Sequence, residues 1–185
     1  MIDWQQVSPI WVIERGTGLT ALALLSLATF LGAVTSAGWN SKRFPEVRAV
    51  SLHRNISLLS LCFLVVHVLG VVFDSYVDVP FIAAFVPFTS NYEELGVALG
   101  TIAFDLVLAL MLTGYLRDRI NRRLWRWIHD LTYLCWAVAT VHALMAGFER
   151  SLTIFVAVCG IVIVVPTIIL RYARPSRNPA LESTS

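Results

Sequence analysis

Five stretches of this chain are each apolar over about 20 residues, the length that carries an α-helix across the hydrocarbon core of a bilayer. They run roughly from Gly18 to Trp39, Leu52 to Phe73, Leu95 to Leu116, Trp127 to Phe148 and Leu152 to Leu170. No other feature restricts the fold as strongly, because a backbone in lipid has to satisfy its own hydrogen bonds. An all-α integral membrane bundle of about five transmembrane helices follows, with no room for a second domain. Composition agrees: 57% hydrophobic residues, 14% charged residues and a mean hydropathy of +0.73 over 185 residues exclude a soluble domain. Residues 1–17 read as an external N-terminal segment, 18–171 as the membrane domain and 172–185 as a short, polar, disordered cytoplasmic tail. The N-terminus has no basic n-region and the first window no small-residue cleavage site, so no removable signal peptide is expected. Cys62, Cys135 and Cys159 fall inside the spans without CxxC or metal-ligand spacing and read as packing residues.

The basic residues set the expected orientation. Lys42, Arg43, Arg48 and Arg54 flank the first connection, Arg117, Arg119, Arg122, Arg123 and Arg126 fill the third, and Arg171, Arg174 and Arg177 lie in the tail, leaving Arg15 and Arg150 on the opposite side. The positive-inside rule then places the N-terminus outside and the C-terminus in the cytoplasm, as an odd number of crossings requires, and the cytoplasmic membrane is the expected location. The run "RDRINRRLWRW" reads as a topology anchor with an interfacial tryptophan pair, and no nucleic-acid partner is expected.

Against this oily background stand the only four histidines, His53 and His67 in the second window, His129 and His142 in the fourth. Ionisable residues in membrane spans are costly and face a cavity, a partner or a cofactor. Both windows run outward from the cytoplasm, so His53 and His129 form an inner level and His67 and His142 an outer one. Spacings of fourteen and thirteen residues put the levels about 20 Å apart on both helices. Two matched pairs suit bis-histidine ligation of two b-type haems: neutral imidazole is a good iron ligand, and iron held between two rings favours electron transfer over oxygen binding. A haem between them would hold the second and fourth helices further apart than the roughly 8–10 Å of direct packing. Fourteen residues fall about 40° short of four turns, so His53 and His67 share a face, whereas thirteen fall about 140° short. The fourth helix is therefore predicted to be tilted, distorted or overwound between His129 and His142.

Trp136 lies between the two levels, either on the electron path or filling the gap. Haem propionates need cations: Arg54 and Arg48 are placed for the inner haem, and Arg15 or Arg150 for the outer one. Asp105, mid-way along the third window, reads as a hydrogen-bonded structural carboxyl or a step in proton movement.

These residues resemble the ferric reductase-like transmembrane family, shared by ferric reductases, NADPH oxidases and the haem subunit of the bacterial methionine sulfoxide reductase system. The resemblance covers roughly Arg15 to Arg171 and rests on H-x13-H in "HRNISLLSLCFLVVH" and H-x12-H in "HDLTYLCWAVATVH". "ERGTGL", "LHRN" and "VPFTSNY" are similar to bacterial members. It implies that His53, His67, His129 and His142 are axial ligands and that electrons pass from the cytoplasmic haem to the outer one, as in the haem subunit of a reductase. Larger members append a flavin and nicotinamide-binding module and have six spans. Here there are five, with about fifteen residues after the last and no GxGxxG, so a separate flavoprotein or a membrane quinol is the expected donor. Ferric iron, dioxygen or a periplasmic protein would be the acceptor, docking against Asp74 to Glu94. Two other functions remain open on the sequence: a proton-coupled transporter relaying protons through the histidines and Asp105, and a quinol-oxidising anchor subunit. A structural scaffold leaves the matched histidines unexplained.

Overall fold

The computed structural model describes residues 9–37, 45–74, 77–146 and 150–173, and within them the chain is helical with no strand. Helix α1, Pro9–Ser36, starts well before the first apolar window. Proline suits a first turn, where its missing N–H costs nothing, and the extra turns bring Glu14 and Arg15 into the helix. Helix α2, Glu46–Phe73, follows Pro45, whose extended backbone (φ −63°, ψ 149°) stops the helix from starting sooner. Helix α3 is Glu94–Tyr115, α4 Arg122–Asp130, α5 Thr132–Ala146 and α6 Arg150–Ala173. Lys42, Arg43, Arg174, Arg177 and the rest of the tail from residue 174 onward lie outside the described residues.

Four of these helices, α1, α2, α3 and α6, are each long and apolar enough to cross a bilayer. The fourth sequence window is divided. The ladder breaks at Leu131, between α4 and α5, so the predicted distortion between His129 and His142 is present as an interruption of the helix. At 1.5 Å per residue the fifteen residues of α5 reach only about 22 Å, and the end of α4 has to complete this crossing.

Helix α1 is the hub. It lies antiparallel along α2 and also packs on α6 and α5, while α3 packs on α5. Its buried face is mostly small, Ala21, Ser26, Ala28, Thr29 and Ala33, which lets backbones approach in a solvent that supplies no hydrophobic drive between helices. Polar side chains bridge the seams: Ser60 Oγ donates to Ala21 O (3.0 Å), and Trp136 Nε1 donates to Ser26 Oγ (2.9 Å). Cys135 is fully buried with its thiol against Ala103 O (3.5 Å) and fits the packing reading, Cys159 is half-buried and Cys62 is exposed, and all three are free. Of the four long apolar helices α2 is the least supported. Only Ala49 and Ser60 are buried on it, and neither α3 nor α5 runs alongside it. The second and fourth spans therefore stand apart, facing each other across a gap.

Between α2 and α3 the chain forms a short 3-10 helix, Phe81–Ala84, held on α3 by Thr101 Oγ1, which donates to Ala83 O (2.5 Å). Phe88 (φ 64°) and Glu93 (φ 38°) are left-handed, a conformation that costs a non-glycine residue about 1–2 kcal/mol and that the surrounding contacts have to hold.

Candidate functional site

The gap is spanned by the four histidines as two pairs. His53 on α2 faces His129 at the end of α4 with ring centroids 6.2 Å apart, and His67 on α2 faces His142 on α5 at 6.3 Å. Both ring pairs cross edge-on, at 79° and 64°. An uninterrupted α2 sets His53 and His67 about 20 Å apart on one face. The break at Leu131 is what lets α4 and α5 present His129 and His142 to that same side.

Three of the four rings are fixed in the same way. His53 Nδ1 bonds Ala28 O (2.8 Å), His67 Nδ1 bonds Glu14 O (2.7 Å) and His142 Nδ1 bonds Gly96 O (2.7 Å). A carbonyl has no proton to give, so each Nδ1 is the donor and each Nε2 carries a free lone pair, the form in which imidazole binds a metal. Each carbonyl belongs to a residue four positions before a glycine: Glu14 and Gly18, Ala28 and Gly32, Gly96 and Gly100. In a helix the carbonyl of residue i points toward residue i+4, so a ring reaching that oxygen lies across residue i+4. A Cβ at Gly18 would stand 2.9 Å from His67 Cε1, one at Gly32 3.1 Å from His53 Cε1, and one at Gly100 2.7 Å from His142 Cε1. At Gly18 and Gly100 a Cβ would force the ring to shift, and at Gly32 it would crowd it.

The surroundings of the two pairs differ. A cavity of about 590 Å³ surrounds His67 and His142, walled by α1, α2, α3, α5 and the 3-10 segment. Arg15 lines it, as placed from the sequence: it bonds the Ala146 carbonyl and lies over the Trp11 ring. Glu14 was not singled out from the sequence as a site residue. It is 1% exposed, its Oε1 stands 3.4 Å from Arg15 Nε, and its Oε2 has no hydrogen-bond partner among the described residues. Beside His53 and His129 the described residues leave a crevice of about 20 Å³, lined by Gly32, Thr132, Tyr133 and Arg171 among others.

At that crevice the cation is Arg171. Its guanidinium donates to Asp130 Oδ1 and to Tyr133 Oη, both at 2.6 Å, and so ties α6 to the residues on either side of the Leu131 break. Arg48 and Arg54, expected there, are exposed on α2 and do not line the crevice. Arg150 is exposed at the start of α6. Trp136 is buried against Ser26 and Gly160 in the seam with α1 and α6, lines neither cavity, and fills the packing role. Asp105 is half-buried and makes no hydrogen bond or ion pair among the described residues, so the hydrogen-bonded role read for it is not realised within them.

The arrangement fits b-type haem. Metal–imidazole bonds of about 2 Å, with ring centres about 1 Å further out on each side, put two axial rings about 6 Å apart, the spacing of both pairs. The three fixed tautomers leave each Nε2 free to take a metal, and Arg15, with one N–H on a carbonyl, keeps donors for a carboxylate at the cavity wall. Among the described residues no three of His, Cys, Asp and Glu gather into a metal cluster, and the histidines stand as two facing pairs. A glycine signal was available in the sequence: Gly18 and Gly32 on α1 are fourteen apart, like His53 and His67 on the antiparallel α2.

No curated protein matches this chain. The family described as ferric reductase like transmembrane component matches residues 17–140, more than half of the sequence and including all of His53, His67 and His129. The match ends two residues short of His142. With four long apolar helices in a multi-pass membrane fold, and with a membrane electron-transfer role indicated by the match, the chain belongs to the ferric reductase-like transmembrane family.

Proposed function

We propose that this protein is a di-haem b-type membrane cytochrome that passes electrons from the cytoplasmic face to an acceptor outside, as the haem subunit of a reductase. His53 and His129 would hold one iron and His67 and His142 the other. The haems would supply one-electron chemistry, each iron cycling between its ferric and ferrous states. The observation that carries this reading is the pair of ring pairs at 6.2 and 6.3 Å, about 20 Å apart along one helix.

The residues do the rest. Carbonyls at Ala28, Glu14 and Gly96 hold three rings in the metal-binding tautomer, which raises their basicity and fixes their azimuth. Arg15 would receive propionates of the His67/His142 haem, and Arg171 those of the His53/His129 haem. The apolar walls keep the pathway dry. With the N-terminus outside, His53 and His129 lie toward the cytoplasm, where a flavoprotein or a membrane quinol delivers electrons. The segment around the 3-10 helix then meets the outer acceptor, and the membrane is the cytoplasmic one.

Electron passage is tested in proteoliposomes with dithionite trapped inside and ferricyanide outside. The parent protein is expected to carry electrons across the sealed bilayer, and His67→Ala and His129→Ala each to abolish this, since either break interrupts the wire. Parent vesicles no faster than protein-free ones would refute the proposal.

A further inference from the structure

One histidine departs from the pattern. His129 Nδ1 is buried and has no hydrogen-bond partner among the described residues, whereas the other three Nδ1 atoms each reach a helix carbonyl. Its ring instead stacks on Trp125, one turn earlier on α4, with centroids 4.9 Å apart and planes 19° apart. The Arg117 guanidinium lies 5.5 Å from the centre of the same indole, so the α3–α4 connection helps to hold Trp125 in place. A carbonyl and glycine at the same spacing recur on α3. Leu110 and Gly114 repeat Gly96 and Gly100 fourteen residues on, yet nothing lies within 4 Å of where a Gly114 Cβ would stand. No ring is seated over this fourth glycine.

We propose that Trp125 is the positioning residue of His129, replacing the carbonyl-and-glycine seat of the other ligands, and that His129 is consequently the axial ligand an external molecule can displace. This rests on the haem reading of the site. A stacked ring can slide and turn in its plane, while a ring held through Nδ1 and seated over a glycine cannot. An Nδ1–H without an acceptor also leaves the imidazole a weaker donor to metal. Both effects fall on the His53/His129 pair, beside the break at Leu131, and leave His67 and His142 tightly held.

Carbon monoxide is the probe, added to the dithionite-reduced protein in detergent, with the ferric spin state followed by electron paramagnetic resonance. The parent is expected to bind carbon monoxide at one haem per chain, and His67→Ala to keep that site. Trp125→Phe, which retains a stacking ring, should resemble the parent. Trp125→Leu should bind carbon monoxide about three- to tenfold more tightly, as loss of one aromatic pair allows, and show a high-spin ferric signal from one haem. If Trp125→Leu does not fold, the parent still decides: uptake at neither haem, or at the His67/His142 haem, overturns the proposal. Two haems with a Trp125→Leu variant indistinguishable from the parent would overturn it alone, whereas a parent without haem would bring down the reading beneath it.

Discussion

At the scale of single residues the site depends on a few positions where one atom more would not fit. Gly100→Ala puts a methyl 2.7 Å from His142 Cε1, and Gly18→Ala one 2.9 Å from His67 Cε1. Overpacking of this kind typically costs about 1–3 kcal/mol, and here it is borne by the histidine ring and its Nδ1 bond. Both variants are expected to lose or distort the haem at the His67/His142 level, read as a fall in haem per chain or a changed low-spin resonance. Gly32→Ala, with 3.1 Å to His53 Cε1, should act on the other level and more mildly. Gly114→Ala meets nothing and should leave both haems as they are. Equal behaviour of Gly100→Ala and Gly114→Ala would contradict the seat. These glycines went unread in the sequence because their meaning lies in the register between two helices. Trp125 was legible as an interfacial anchor, which Trp127, 73% exposed, resembles, but its stacking on His129 emerges only with the fold of α4.

At the scale of elements the decisive feature is the interrupted fourth span. Thirteen residues of unbroken helix would turn His129 and His142 about 140° apart, and this arithmetic made the distortion legible in advance. Its position was not legible, because neither proline nor glycine marks Leu131. What holds the break is remote in sequence: Arg171 on α6 grips Asp130 and Tyr133 on either side of it. Charge-assisted hydrogen bonds between half-exposed groups contribute on the order of 1 kcal/mol each. Arg171→Gln is therefore expected to lower the thermal midpoint of the purified protein and to weaken haem retention at the His53/His129 level first. Loss at the His67/His142 level first would place the role of Arg171 elsewhere. Arg48 and Arg54, close to His53 along the chain, stand on an exposed side of α2, while α6 delivers Arg171 to the crevice from the other end of the sequence.

At the scale of the whole molecule, membrane character and the four long apolar helices follow directly from hydropathy, since lipid leaves the backbone few alternatives. The pairing of helices does not follow from hydropathy, because lipid-facing and helix-facing residues are equally apolar. Helix α2 shows the consequence: it rests on α1 and leaves its other side to lipid and to the gap that the histidines cross. The central claim is that this gap holds two haems between two imidazole pairs. A pyridine haemochrome determination on the purified protein, repeated for His67→Ala and His129→Ala, tests it most directly. The account predicts close to two b haems per chain in the parent and close to one in each variant; a parent purified colourless from haem-replete cells, or variants that keep both haems, would contradict it.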